Sequence, residues 1–461
     1  MNTTLSNSQA RAAEALLLPY TDAAMARDTG VMIIERGEGV RVFDTNGRGY
    51  IEAMSGLWCA GLGFGNQEIV EAAAEQMGKL PYYHMFGGKT HEPSIELAEK
   101  IKELTPGRMA RVFYQCSGSE ANETQVKLAW FYNNARGLPD KKKIISRKRG
   151  YHGVTVVSGS MTGLPYNHTD FDLPVDRILH TGTPHYWKEA RAGEDEPAFS
   201  ARLARELEEL IEAEGPETVA AFIAEPVMGA GGVVVPPRGY FEAISEVCRR
   251  HDVLMIADEV ICGFGRTGEW FGSQTFNWVP TSVSMAKQLT SGFMPLSAVA
   301  INQDMADVIE ANTSKIGTLG HGFTYGGHPV GCAVGIKVID IYHRLDITSH
   351  VKSVATRFAA HLDRLAEHPL VGEARHVGLV GALELSPNKS PDGFRETGKV
   401  AAKMSAELLE HGVISRPVAD AMVFCPPMII TGEEIDEMFD PVEAALDRTL
   451  DWAKAEGHWS A

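Results

Sequence analysis

The chain has 461 residues, 44% of them hydrophobic and 22% charged, with a net charge of −17. That length can bury about three quarters of the surface an unfolded chain exposes and suggests two or three domains, while the acidic balance excludes nucleic acid as a main partner, which needs a basic footprint. Cys59, Cys116, Cys248, Cys262, Cys332 and Cys425 form no CxxC pair and no His/Cys ligand spacing, which excludes a disulfide framework and a zinc site.

The N-terminus, Met1–Asn7, lacks the positive and apolar segments of a signal peptide. No apolar run approaches the roughly 18 residues of a membrane helix. Both points predict a cytoplasmic protein. Residues 31–53 read as a small antiparallel meander of Val31–Ile34, Val40–Phe43 and Tyr50-Ile51, with Asn46-Gly47 as a strong hairpin turn.

From about residue 65 the pattern changes to helices alternating with continuous apolar strands. Helical spacing covers Gln67–Leu80, Glu92–Leu104, Ser119–Arg136, Phe199–Glu214 and Gly239–His251. Strands are predicted at Arg111–Gln115, Lys143–Ser146, Thr155–Ser160, Val219–Ala224, Val253–Ala257 and Leu296–Ile301, with a further short run at Ser282–Ala286. Such alternation indicates an α/β fold with a mainly parallel sheet covered on both faces. The basic residues Lys141–Lys143 and Arg147–Arg149 read as the solvated edge of the strand between them. After a helix near His328–Arg344, long amphipathic helices at Ile347–Glu367, Phe394–His411 and Glu433–Glu456 mark a second, smaller domain.

Candidate chemistry gathers where strands end, which is where open α/β sheets bind ligands. Strand Val253–Ala257 runs into Asp258 and Glu259, and Lys287 follows the run Ser282–Ala286. A lysine ending an apolar strand is costly unless its amine is neutral or covalently used. A covalent imine to an aldehyde cofactor meets that need, and pyridoxal phosphate also requires an acid to hold its ring nitrogen protonated. Cys116–Asn122 joins a strand to a helix, and its small residues offer free N–H groups and the positive helix end to a phosphate, with hydroxyls on Ser117 and Ser119. Tyr151-His152-Gly153 could stack an aromatic on a planar ring, and Glu225 adds a carboxylate to the same rim. Gly263–Gly268 matches a dinucleotide fingerprint only superficially, because it lacks the later acid and feeds Trp270 instead of a helix. His321 and His328 lie seven apart in the glycine-rich loop 320–329, with no Glu or Cys partner for a metal.

Taken in order, Asp44–Gly49, Ser117–Asn122, Tyr151–Gly153, Ala224–Pro226, Ala257–Val260, Gly265–Gly268, Ala286-Lys287 and His321–Pro329 resemble the class III pyridoxal phosphate-dependent aminotransferases, the ω-transaminases, over nearly the whole chain. The resemblance implies the fold type I of pyridoxal phosphate-dependent transferases. Its large domain, residues 61–329, holds a mainly parallel seven-stranded sheet, and residues 1–60 and 330–461 form a smaller α+β domain. It implies pyridoxal 5′-phosphate as cofactor. Lys287 would carry the imine and shuttle the proton, Asp258 would pair with the ring nitrogen, and Tyr151 and Val260 would flank the ring. Ser117, Gly118, Ser119, His152 and Glu225 would complete the cofactor site, with Thr324 reaching the phosphate from a neighbouring subunit. Trp58, Phe86, Ala230, Ile261, Phe323 and Arg416 would line the substrate pockets, with Arg416 as a mobile fork for a carboxylate.

A homodimer with shared sites, or a tetramer, follows from the same resemblance. So does transfer of an amino group from a primary amine (aromatic amine, diamine or polyamine, or ω-amino acid) to pyruvate. Gln288, where many relatives carry glycine, departs from the family pattern beside the key lysine. A decarboxylase, an aminomutase or a non-catalytic cofactor-binding regulator are the rival readings. The last expects a missing Lys287 or Asp258, and both are present.

Overall fold

The hairpin signal at Asn46-Gly47 forms as expected. Asp44 Oδ1 accepts from the N–H groups of Asn46 at 2.9 Å and Arg48 at 3.0 Å, and Gly47 takes the positive φ of 79° that the tight turn requires. In this computed structural model, which describes residues 6–459, the turn belongs to a meander of β1 (Ile34–Glu38), β2 (Arg41–Asp44) and β3 (Gly49–Glu52). Residues 1–5, where the reading of the N-terminus begins, lie outside the described residues. β1 begins where the expected strand Val31–Ile34 ends. It is the edge strand of its sheet, so its polar residues need no apolar face.

Seven strands build the large sheet: β4 (Met109–Gln115), β5 (Lys143–Arg147), β6 (Ile178–Thr181), β7 (Val219–Ala224), β8 (Leu254–Asp258), β9 (Ser282–Met285) and β10 (Ser297–Asn302). Their order is β4-β10-β9-β8-β7-β5-β6, and only β10 runs antiparallel to its neighbours. All six residues of β7 are buried, which is why that strand reads as an unbroken apolar run.

The expected strand Thr155–Ser160 is a helix, Val156–Met161. Its β-branched residues suit a strand, but the local chemistry caps a helix. Thr155 and Ser158 form a reciprocal capping box, and Glu123 Oε2 accepts from Thr155 Oγ1 at 2.6 Å and from the Ser158 N–H at 3.1 Å. The seventh strand is instead β6, a four-residue segment too short to stand out by periodicity. The basic stretch is not a solvated edge throughout. Lys141 is buried and donates to the carbonyls of Pro216 and His251, both at 3.1 Å, and Arg147 is fully buried.

The C-terminal part adds β11 (Val371–Val377), β12 (Val380–Leu385), β13 (Val413–Ile414), β14 (Arg416–Val418) and β15 (Ala421–Phe424). β11-β12-β15-β14 form an antiparallel sheet, and β13 pairs in parallel with β3, so the N- and C-terminal segments share one four-stranded sheet. The helix expected at Phe394–His411 starts only at Lys399, after Gly398 with φ 83°. The helix expected at Glu433–Glu456 is two, Gly432–Phe439 and Val442–Ala455, broken at Pro441, which has no N–H to continue the ladder. No helix among the described residues is long and apolar enough to cross a membrane.

Candidate active site

β7, β8 and β9 are parallel neighbours, so the residues at their C-terminal ends converge. Glu225 follows β7, Asp258 ends β8, and Lys287 stands two residues past β9. The turn carrying the lysine is tight: Lys287 itself has φ 45°, and its carbonyl accepts from the N–H groups of Thr290 at 3.2 Å and Gly292 at 3.3 Å. Gln288 is buried behind it, its carbonyl accepting from the Tyr342 hydroxyl at 3.2 Å. The residue that departs from the family pattern thus packs into the protein, away from the lysine side chain's cavity.

That cavity, about 200 Å³, is lined by Lys287, Asp258, Gly118, Ser119, Tyr151, His152, Glu225, Val260 and also by Trp58, Ala230, Ile261 and Arg416. Most of the residues singled out in the sequence therefore meet in one place. Burial lowers the pKa of Lys287, partly offset by Cys59, Asp258 and Glu225 nearby, which favours a neutral, nucleophilic amine.

Asp258 is buried and held from two sides. Its Oδ2 accepts from Asn122 Nδ2 at 2.7 Å and from His152 Nδ1 at 2.8 Å, and Oδ1 accepts from the Val260 N–H at 3.1 Å. The carboxylate is thereby fixed in direction, as a group that must meet one ring nitrogen has to be.

Opposite it, the helix Gly118–Ala135 points its N-terminus into the cavity. Ser117 spends its hydroxyl on the cap, accepting from the Glu120 N–H at 3.2 Å, and does not line the cavity. The first-turn N–H groups of Gly118 and Ser119 remain for an anion. A Cβ on Gly118 would lie 3.1 Å from Val260, and one on Gly153 would lie 2.6 Å from Ser119 Oγ, so Gly118 keeps space open beside Val260 and Gly153 lets its own loop approach the helix end. A planar, phosphorylated aldehyde fits this donor set: anion site at one end, fixed carboxylate at the other, amine between.

Glu225 serves its neighbours more than the cavity. Oε1 accepts from the Tyr151 N–H at 3.0 Å and Oε2 from the Gly229 N–H at 3.1 Å, tying the aromatic wall to the loop that carries Ala230. Burial raises its pKa. Burial likewise raises the Tyr151 phenol.

Phe86 and Phe323, expected among the lining residues, do not line this cavity; they sit on another part of the surface together with Thr324, which the resemblance assigns to a neighbouring subunit's site. Phe86 packs against Gly322, the Tyr82 hydroxyl donates to the Thr324 carbonyl at 2.9 Å, and Phe323 meets His321 edge to face at 5.3 Å. His321 stacks on Phe113 at 5.3 Å and bonds Thr124, while His328 caps the helix Pro329–Arg344. The glycine cluster 263–268 buries Arg266, which donates to the Leu379 carbonyl at 3.0 Å and to Ser55 Oγ at 3.2 Å.

The sequence did not point to Asn122, Tyr20 or Tyr166. Asn122 had a usable signal: it stands four residues after Gly118, on the helix face turned toward the strand ends, among buried Ala121, Thr124 and Gln125. Tyr20 and Tyr166 line the cavity from irregular segments and carried no such signal.

The family described as aminotransferase class-III matches residues 23–446. The chain is 46% identical over 436 residues to gamma aminobutyrate transaminase 1, mitochondrial, of Solanum lycopersicum, covering 94% of this chain and 85% of the relative. It is equally 46% identical to the vanillin aminotransferase of Capsicum frutescens, covering 94% and 95%. Among solved structures, the ω-transaminase of Pseudomonas jessenii in complex with PMP superposes with a TM-score of 0.96 at 49% identity, covering 97% of this chain and 99% of that one.

Proposed function

The chain belongs to the class-III aminotransferases, with fold type I and pyridoxal 5′-phosphate as cofactor, and from that premise we propose that it transfers the amino group of a primary amine to pyruvate, giving alanine and an aldehyde or ketone. The observation that carries the reading is the composition of the one cavity: Lys287 and Asp258 face aromatic walls from Trp58, Tyr151, Tyr20 and Tyr166, with a single arginine, Arg416, among them. Aromatic walls suit the apolar body of an amine. The guanidinium of Arg416 suits a keto-acid carboxylate, which it can bind through two parallel bonds.

Bound in this cavity, the cofactor supplies an aldehyde that condenses with amines and a protonated ring that takes up electrons released at carbon. The protein's own groups do the rest. Gly118 and Ser119 hold the phosphate by their N–H groups. Asp258, fixed by Asn122 and His152, keeps the ring nitrogen protonated. Lys287 Nζ, its pKa lowered by burial, would take the proton from the amine-bearing carbon and give one to the cofactor's former aldehyde carbon. Tyr151 and Val260, both lining the cavity, would flank the ring and exclude water.

An ω-amino acid such as 4-aminobutyrate is the second donor class, favoured by the names of the plant relatives. We also propose a homodimer in which Phe86, Phe323 and Thr324 reach the cavity of a second copy. Their position together, outside the cavity of their own chain, supports it. A cytoplasmic location accords with six free cysteines, although several plant relatives are named mitochondrial or chloroplastic. A panel of aryl amines, diamines and ω-amino acids against pyruvate, α-ketoglutarate and glyoxylate tests the reading. It predicts alanine as the main product; faster turnover with α-ketoglutarate than with pyruvate would overturn the acceptor assignment.

A further inference from the structure

Trp58 enters the cavity from a turn that is strained for L-residues. Ser55 has φ 50°, Gly56 φ 68° and Trp58 φ 65°, three left-handed residues among four. Such a conformation persists only where its surroundings over-determine it. Arg266 and the Cys425 carbonyl hold the Ser55 hydroxyl, the latter at 2.7 Å. The Trp58 N–H closes the bend by donating to the Met54 carbonyl at 2.8 Å, and one further side chain reaches into it. Glu52, the last residue of β3 and 4% exposed, directs its carboxylate forward along the chain to accept from the Gly56 N–H. Glu52 does not line the cavity; Leu57 and Trp58, on the far side of the turn, do.

We propose that Glu52 is a positioning residue for substrate choice: its carboxylate clamps the turn that sets the Trp58 indole, and so determines how bulky an amine the cavity accepts. The inference rests on the reading of Trp58 as an amine-facing wall.

A buried carboxylate with no cation is an expensive clamp. Burial raises the pKa of Glu52 to about 7, against the Gly56 N–H that it accepts from and the Met54 N–H nearby, both of which favour the ionised form. The titratable and charged groups around it are the Cys425 thiol, itself pushed up to about 11, and beyond that thiol Arg266, Lys287 and Cys59. None of them donates to the carboxylate. The clamp therefore gains its charge as pH rises through about 7 and is weakened below it, as protonation removes acceptor strength from one oxygen.

The test compares holoenzymes of the parent, Glu52→Gln and Trp58→Ala. It measures the ratio of kcat/KM for 1-phenylpropylamine to that for 1-phenylethylamine, from about pH 6 to about pH 9. Two amines of nearly equal basicity cancel their own titration. Trp58→Ala should raise the ratio about tenfold, and Glu52→Gln about threefold at the alkaline end, with an unchanged cofactor absorbance band. The parent ratio should rise toward the Glu52→Gln value as pH falls through about 7, and the variant should show no such step. If Trp58→Ala leaves the ratio unmoved, the wall reading fails. If Trp58→Ala moves it while Glu52→Gln matches the parent at every pH, the wall stands and the clamp is overturned. Should Glu52→Gln not fold, Gly56→Ala carries the test. It strains the same turn at φ 68°, and its added Cβ meets nothing within 4 Å. It should raise the ratio as well, and a parent-like ratio there would equally overturn the proposal.

Discussion

At the scale of single residues, the proposed function assigns some cavity groups to the cofactor and others to substrate, and each assignment can be tested by substitution. Asp258→Asn keeps the size of the side chain but cannot hold a ring nitrogen protonated. Loss of that charge is expected to slow turnover roughly a thousandfold, about 4 kcal/mol, with cofactor still bound. Single-turnover absorbance changes at saturating amine check it, and a rate within about tenfold of the parent would remove Asp258 from the role. Arg416→Ala should divide the two half-reactions. A charge-assisted bond to a carboxylate contributes about 1.5–3 kcal/mol, so the specificity constant for pyruvate should fall roughly ten- to a hundredfold while reaction with 1-phenylethylamine changes little. Equal slowing of both would make Arg416 a structural residue. Sequence spacing made Asp258 and Lys287 legible because each ends an apolar run, a local feature. Asn122 and His152 reach Asp258 across 136 and 106 residues, distances at which spacing carries no information.

At the scale of elements, the close approach of the helix Gly118–Ala135 to the helix Val156–Met161 fixes the anion end of the cavity. Gly153 sits at the contact with φ 132°, and a Cβ there would come 2.4 Å from Ser158 Oγ and 2.8 Å from Ser119 Cα. Gly153→Ala should therefore displace the helix end, cost about 1–3 kcal/mol in stability and weaken cofactor retention. Thermal unfolding with and without added pyridoxal phosphate measures both, and unchanged retention would show that the helix end does not hold the phosphate. The same contact explains the misplaced strand. Val154–Val157 has strand composition, but Glu123 on the neighbouring helix supplies the capping acceptor, and that partner is 35 residues away from Ser158. Periodicity cannot register it.

At the scale of the whole molecule, a buried ionic network ties the cavity loop to the C-terminal sheet. Arg375 Nε donates to the carbonyls of Gly232 at 2.9 Å and Val233 at 3.0 Å, and Nη2 pairs with Glu384 at 2.6 Å; Lys188 also pairs with Glu384. Burial alone would raise the pKa of Glu384, but Arg375 and Lys188 outweigh it and bring the value to about 2, below the ordinary 4.5. The network's contribution is thus complete above pH 4.5 and is lost as pH falls from there toward 2. Glu384→Ala leaves buried Arg375 with Glu373, at 2.7 Å, as its remaining carboxylate partner and should cost about 3 kcal/mol at neutral pH. Urea unfolding at neutral and acid pH checks this: the difference between parent and variant should shrink on acidification, and a difference independent of pH would contradict the pairing.

The sequence by itself determined the chemistry and its order along the chain: an apolar strand ending in Asp258, a lysine after the next strand, a small-residue helix start at Gly118, and a hairpin at Asn46-Gly47. Each depends on residues within a few positions of one another, where hydrophobic run length and turn chemistry act directly. Only the tertiary structure decided that Asn122 and His152 hold Asp258, that Tyr20 and Tyr166 join the cavity, that Phe86 and Phe323 lie outside it, and that Glu52 bonds the turn beneath Trp58. Those outcomes depend on which distant segments the packed sheet brings within hydrogen-bonding distance, and on burial that gives a carboxylate or an amine its altered proton affinity. Neither quantity exists until the chain has folded.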